Sequence, residues 1–308
     1  MSTQTSSRNL KIVLSFLAIY FIWGTTYFVI VLGLKGFPPF TMAAVRFLIA
    51  GLILAGYSLY KKEGLPSKSA MIKNSIIGLI VLAGGQGSLF WAEQYIPSGY
   101  ASVLVATIPI WFVVLDRAHW NSYFKNPIIL IGLVLGFVGI ILLFSEKLSP
   151  LEGYQNKEMY FWGSVVALFG AMCWVAGTLY NRSRPAKGTI HANLGWQLIG
   201  GSIICLLLAL VFGEAGDPRW FHPTFEAWLA VIYLATAGSV VAFVAYTWLL
   251  NELPSAVVGT YAYINPVVAV FIGWVVANEQ LGQLQFIGMI VVLISAVLIN
   301  LNRTKAIK

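Results

Sequence analysis

Long apolar stretches separated by short polar segments are the dominant pattern along the chain. Each stretch has about 20 residues, and the charged residue Arg46 interrupts one of them. A bilayer core is about 30 Å thick, so a helix of roughly 20 apolar residues crosses it. The pattern predicts ten transmembrane helices, at 12–34, 39–60, 74–92, 94–115, 126–145, 159–181, 188–213, 227–251, 253–278 and 280–302.

Composition agrees with a membrane protein. The chain has 308 residues, of which 59% are hydrophobic and 10% are charged. Soluble domains carry about a quarter charged residues, and disordered chains are poor in apolar residues, so both classes are excluded. The weak ten-residue alternation of barrel strands is not found. The sequence therefore predicts an all-α integral membrane protein.

The distribution of basic residues predicts an orientation. With the N-terminus in the cytoplasm, fourteen Lys and Arg residues fall in inside segments and four in outside segments. Cytoplasmic loops carry an excess of Lys and Arg, so both termini are predicted to be cytoplasmic. The basic residues that give the chain its net charge of +8 then face the anionic lipids of the cytoplasmic leaflet. No nucleic-acid partner is expected.

An internal duplication relates the two halves of the chain. Residues 91–109 read WAEQYIPSGYASVLVATIP, and residues 248–266 read WLLNELPSAVVGTYAYINP. We place a first repeat at 10–147, an extracytoplasmic linker at 148–158 and a second repeat at 159–303. Each repeat holds five predicted helices, an odd number, so the second is inverted relative to the first. Inverted repeats are typical of secondary transporters, whose site lies near the membrane midplane, although a duplication can also serve stability alone.

Several motifs carry a resemblance to a known family. They read FIWGTTYFVI at 21–30, FPPFTMAAVRFLIAG at 37–51, IPSGYASVLVATIPIW at 96–111 and TYAYINPVVAV at 260–270. In this order the chain resembles the EamA family of the drug/metabolite transporter superfamily, and within it the YedA-like inner-membrane exporters. The resemblance implies ten helices in a 5+5 inverted repeat, a central cavity, and export of small metabolites across the inner membrane. Many members carry Gly-Glu where this chain has Asn278-Glu279, which leaves a role for Glu279 open.

Two charged residues are candidates for transport. Arg46 lies about seven residues inside the second predicted span, where a charge is costly and usually marks a cavity or an ion pathway. It either holds a substrate carboxylate or counter-ion, or fixes the helix by snorkelling or pairing with a carbonyl. Glu93 directly follows the third span, at its outer mouth, and shares one helical face with Gln86 and Phe90. Glu93 is a partner of Arg46, a proton-coupling acid, or a solvated carboxylate at the membrane surface.

Aromatic and polar stripes predict a cavity wall. An apolar ring with a polar tip suits an organic solute, although the same stripes fit helix packing or an interfacial belt. The stripe residues that we assign to the cavity are Tyr20, Trp23, Tyr27, Trp174, Thr178, Tyr261 and Asn265. Pro109 and Pro266, equivalent in the two repeats, are predicted inside helices as hinges or as fixed kinks.

Together these features predict a secondary transporter that exports a small organic metabolite, amino-acid-like or amphipathic and drug-like, by alternating access. A channel or lipid translocator of the same fold is the alternative. A membrane enzyme is not favoured, because the sequence lacks the cluster of acids or His that such an enzyme would need. No cofactor and no metal site is expected. We expect a small-molecule substrate, the lipid bilayer as surroundings, possible proton coupling and a monomer.

Overall fold

Helices account for nearly all of the computed structural model, which describes residues 2–145, 156–220, 222–277 and 282–301. The longer helices are α1 (Ser2–Leu34), α2 (Pro39–Tyr60), α3 (Lys68–Ala92), α4 (Ser98–Leu115), α6 (Pro127–Phe144), α7 (Lys157–Ser183), α8 (Ile190–Val211), α9 (Phe225–Glu252), α11 (Tyr261–Ala277) and α12 (Gln283–Leu301). Two five-residue α-helices, α5 (Trp120–Phe124) and α10 (Ser255–Gly259), also lie within the described ranges. Three 3₁₀ helices are found there as well, at Arg117–His119, Glu214–Gly216 and Pro218–Trp220.

Apolar helices long enough to cross a membrane confirm the predicted class. Within the described residues, seven helices have the necessary length and composition, namely Ser7–Leu34 of α1 together with α2, α3, α4, α7, α8 and α9. The apolar helices Pro127–Leu143 and Gln283–Ile299 occupy the fifth and tenth predicted spans and are shorter. The predicted linker 148–158 lies mostly outside the described residues, and Glu279 lies outside them as well.

The fourth and ninth predicted spans are interrupted rather than continuous. Helix α4 divides into Ser98–Val105 and Ile108–Leu115, and Thr260 separates α10 from α11. Helical segments begin at Ser98 and Ser255, each of which is preceded by a proline. Pro109 lies in the first turn of a helical segment, where a missing N–H costs nothing, whereas Pro266 lies inside α11 as predicted.

The chain folds into two compact units. The first unit comprises Met1–Thr25, Ala106–Ser149 and Val241–Lys308, and the second comprises Thr26–Val105 and Pro150–Val240. Each unit contains helices from both sequence halves, so the units are not the two repeats. The boundaries fall inside α1, α4 and α9.

Close glycine contacts hold the helices of the first unit together. In this unit α6 packs along α12, and a Cβ on Gly288 would lie 2.5 Å from the backbone nitrogen of Leu143. The Ser295 hydroxyl donates to the Gly132 carbonyl at 2.6 Å, and the Tyr263 hydroxyl donates to the Leu133 carbonyl at 3.0 Å. Small residues let backbones approach closely in lipid, and side-chain hydrogen bonds then join the helices.

The second unit packs by the same principle. Helix α8 lies against α2 and α3, and a Cβ on Gly195 would lie 2.9 Å from the backbone nitrogen of Ala55. Ser202 donates its hydroxyl to the Ala44 carbonyl at 2.7 Å. Helix α7 crosses α3, where a Cβ on Gly170 would lie 2.7 Å from the carbonyl oxygen of Gly85. Glycines therefore allow close approach of helix backbones in both units.

Two helices contain π-helical segments at related positions. Leu79–Gly87 of α3 and Leu234–Val241 of α9 are both π-helical. Shifting the first segment by the 157 residues that relate the two sequence halves gives 236–244, which overlaps the second segment. Stretches of π-helix are rare in proteins, and those that occur are often found at functional sites.

A polar loop after α8 clamps the turn between α1 and α2. The Glu214 carboxylate accepts hydrogen bonds from the backbone N–H groups of Phe40 (2.9 Å) and Thr41 (2.8 Å) and from the Thr41 hydroxyl (2.7 Å). These amides open α2, where N–H groups have no partner inside the helix. Arg219 donates to the Leu34 carbonyl at the end of α1 at 2.8 Å. A hydrogen bond from Arg219 also holds the pKa of Asp217 below its ordinary value.

Replacing the buried cap at Glu214 is expected to destabilise the protein. Glu214→Ala leaves two α2 amides and a hydroxyl without their acceptor, which costs roughly 1–3 kcal/mol. Thermal unfolding of purified protein in detergent measures the change. The matched control is Glu226→Ala, because Glu226 is exposed in the first turn of α9 and its removal costs only about 0.3–1 kcal/mol. Equal unfolding temperatures for the two variants would show that the hydrogen bonds from α2 to the Glu214 carboxylate do not stabilise the fold.

Candidate functional site

A buried arginine is the central polar group of the second unit. Arg46 lies on α2 with 2% of its surface exposed. Its Nε donates to the Ser239 hydroxyl at 2.9 Å, and Ser239 belongs to the π-helical segment of α9. The guanidinium carbon lies 5.5 Å from the ring centroids of Phe47 and Phe90. Such distances allow cation–π attraction, which strengthens when the cation is removed from water.

The surroundings of Arg46 hold it in place without neutralising it. A Cβ on Gly238 would lie 3.1 Å from Nη2 of Arg46, so a glycine leaves the room that the guanidinium fills. None of the ion pairs recorded among the described residues includes Arg46. A buried cation is costly unless it is paired and fully hydrogen-bonded. The site therefore presents a fixed positive charge suited to an anionic group.

Glu93 is buried and does not pair with Arg46. It follows the last residue of α3, only 7% of its surface is exposed, and both carboxyl oxygens lack a hydrogen-bond partner within the described chain. The side chain is not the solvated surface carboxylate that was one of its alternatives. Tyr27 of α1 is buried near Glu93.

The other predicted residues of the second unit lie on α3 and α7. The buried oxygen Oε1 of Gln86 has no partner among the described residues. Trp174 and Thr178 are buried on α7, and a Cβ on Gly85 would lie 3.4 Å from the Trp174 Cβ. The structure thus places Trp174 beside the π-helical segment of α3 that carries Gln86.

An aromatic cluster forms in the first unit. The Trp23 ring lies 5.1 Å from the Tyr246 ring and 4.8 Å from the Tyr261 ring, and the two tyrosine rings are 5.6 Å apart. All three side chains are buried. The Trp23 and Tyr246 rings are tilted by 55°, and the other two pairs, at 66° and 82°, have the edge-to-face arrangement that aromatic rings prefer. Trp23 and Tyr261, predicted separately as cavity residues, are therefore neighbours.

Asn265 ties two helices together in the same unit. With its amide oriented toward the carbonyls, it donates to Tyr261 O at 3.0 Å and to Tyr20 O at 3.3 Å. Tyr20 lies on α1, next to Phe16 with 5.4 Å between the ring centroids. A Cβ on Gly24 would lie 2.8 Å from the Val268 side chain, so α1 and α11 cross closely here. The amide of Asn265 thus joins the two helices near their crossing point.

Sequence reasoning missed several residues of these clusters. Ser239 and Tyr246 are polar residues inside the eighth predicted span, and a search for polar side chains within spans would have found both. Phe47 follows Arg46 directly but gives no signal in an apolar segment. The π-helical segments leave no periodicity that a sequence displays, although both contain glycine.

Comparisons with known proteins identify the family. The profile of the EamA-like transporter family matches residues 10–145 and 161–301. The uncharacterized inner membrane transporter YedA of Escherichia coli is 33% identical over 288 residues, which cover 93% of this chain and 89% of that protein. The uncharacterized transporter YoaV of Bacillus subtilis is 24% identical, covering 88% and 90% of the two chains.

Further similarities agree with this assignment. Protein PecM of Dickeya dadantii is 23% identical, covering 93% of each chain. A solved crystal structure superposes with a TM-score of 0.74 at 19% identity and covers 96% of this chain and 98% of the other, which shows a shared fold. YedA and YoaV are named as transporters, not enzymes, and the apolar spans fit a multi-pass inner-membrane protein. The chain belongs to the EamA-like transporter family.

Proposed function

We propose that this protein is a secondary transporter that exports a small organic metabolite and holds an anionic group of that metabolite at Arg46. The observation that carries the proposal is the buried guanidinium, which among the described residues has one neutral hydrogen-bond partner, two aromatic neighbours and no acidic partner. A bound carboxylate would supply the missing negative charge with charge-assisted hydrogen bonds. An amino-acid-like or amphipathic carboxylate fits such a site.

The proposed architecture is ten transmembrane helices in two inverted five-helix repeats, with both termini in the cytoplasm. The repeats are residues 10–147 and 159–303, joined by an extracytoplasmic linker. The family profile matches in two stretches close to these bounds, and the π-helical segments of α3 and α9 occupy related positions. Helices that correspond in the two repeats also pack together, α2 with α8 and α6 with α12.

The proposed mechanism is alternating access around a cavity near the membrane midplane. The cavity is assigned to the residues predicted from sequence, namely Tyr20, Trp23, Tyr27, Arg46, Gln86, Phe90, Glu93, Trp174, Thr178, Tyr261 and Asn265. The interruption at Thr107 lies two residues before the hinge candidate Pro109, and the interruption at Thr260 lies six residues before Pro266. Both interruptions supply points where a helix bends. The protein works as a monomer in the bilayer, without cofactor, metal or nucleic acid.

A metabolite profile of the culture medium tests the proposed function. Cells that express the chain are compared with cells that carry an empty vector, at equal density and growth phase. We expect one class of small organic anion to accumulate in the medium only when the chain is expressed. Unchanged medium across growth on several carbon and nitrogen sources would contradict export.

A further inference from the structure

The buried carboxyl of Glu93 is a titratable group that substrate binding at Arg46 does not use. Its backbone N–H donates to the Leu89 carbonyl at 2.9 Å, which fixes the residue at the end of α3. Both carboxyl oxygens are inaccessible to solvent and have no hydrogen-bond partner among the described residues. An ionised carboxylate in such surroundings is far less stable than in water, and in practice such a group takes up a proton.

The charged groups around Glu93 do not offset this cost. On α1, the nearby Tyr27 side chain is buried and uncharged. On α2, the Arg46 side chain is bonded to Ser239 and lies against the Phe90 ring, and it forms no ion pair with Glu93. On α7, Tyr160 stacks on Tyr100 of α4 at 5.2 Å, and Lys157 and Glu158 are exposed.

We propose that Glu93 is the proton-binding site that couples this transporter to the proton gradient. The proposal rests on the proposed export function. The carboxylate oxygen takes a proton from water on one side of the membrane and becomes a neutral acid that the buried site tolerates. After the access changes, the acid returns the proton to water on the other side, so one proton enters the cell as one substrate leaves.

Reaction with dicyclohexylcarbodiimide tests the proton site without a substrate. This apolar reagent modifies protonated carboxyl groups in membranes, and peptide mass spectrometry locates the adduct. We expect an adduct on Glu93 at pH 7 in the reconstituted full chain, with labelling at least 10-fold slower at the exposed Glu158. Glu93→Gln removes the adduct, and raising the pH slows the reaction. Absence of an adduct on Glu93 throughout pH 6–9 would overturn the proposal.

A transport measurement then tests the coupling. The probe is the radiolabelled compound that accumulates in the medium of expressing cells, loaded into proteoliposomes. An imposed pH gradient should accelerate its efflux at least 5-fold for the wild type and for Glu158→Gln. Glu93→Gln should lose the acceleration, and Glu93→Asp should recover part of it.

The two proposals fail in distinguishable ways. Wild-type efflux that ignores the gradient, or a Glu93→Gln variant that keeps the full acceleration, overturns the role of Glu93 and leaves export standing. A wild type that moves no compound in cells or vesicles overturns both the export function and the coupling.

Discussion

Arg46→Ala should reduce substrate transport by at least ~30-fold. Truncating one partner of a buried, hydrogen-bonded charge pair costs about 2–5 kcal/mol, which corresponds to ~30-fold or more in affinity. The lost partner here is the cation that holds the substrate's anionic group. The initial rate of substrate counterflow in proteoliposomes measures the effect, with equal amounts of protein reconstituted for each variant.

Two further variants separate the charge of Arg46 from its position. Arg46→Lys keeps a positive charge but loses the planar fork and the Nε that donates to Ser239, so we expect an intermediate rate. Ser239→Ala removes one neutral hydrogen bond, worth about 0.5–1.5 kcal/mol, and should reduce transport only a few-fold. Full transport by a folded Arg46→Ala variant would show that Arg46 is structural.

Gly288→Ala should destabilise the packing of α12 against α6. The added Cβ would lie 2.5 Å from the Leu143 nitrogen and 2.7 Å from the Gly139 carbonyl oxygen. Both are backbone atoms, so one helix has to move, and overpacking of this kind costs typically about 1–3 kcal/mol. We expect a lower midpoint in thermal unfolding of purified protein in detergent.

Gly56→Ala is the matched control for this substitution. Gly56 lies on the exposed side of α2, and a Cβ there would meet nothing within 4 Å. Alanine favours helix over glycine by about 1 kcal/mol, so the control should be neutral or slightly stabilising. An unchanged unfolding midpoint for Gly288→Ala would mean that α6 and α12 separate without cost.

The membrane class and the positions of most helices follow from the sequence, because an apolar stretch long enough to cross a bilayer rarely forms anything other than a transmembrane helix. Helix interiors are harder to predict. The change to π-helix at Leu79–Gly87 and the interruption at Thr107 depend on neighbouring helices, which hydropathy does not show. The resemblance of the sequence to the EamA family, and its inner-membrane location, are confirmed.

The candidate site was predictable in its charges but not in its contacts. Arg46 stands out as a charge inside a span, whereas its partner Ser239 lies 193 positions further along the chain. The suggested Arg46–Glu93 pair is not formed, since helical spacing along α3 does not determine which helix each side chain meets. The role of Glu214 as the cap of α2 could not be predicted from the sequence, because a cap supplied by a distant loop leaves no local sequence pattern.

Concentration-dependent counterflow is the most direct test of a carrier with a fixed anion site. Proteoliposomes are loaded with the compound that expressing cells release, and uptake of its labelled form is measured over a wide range of external concentrations. For a carrier, we expect a rate that saturates, is reduced by the matching stereoisomer alone, and is lost in Arg46→Ala. A rate that rises linearly with concentration and ignores stereochemistry would contradict the carrier mechanism and indicate a channel.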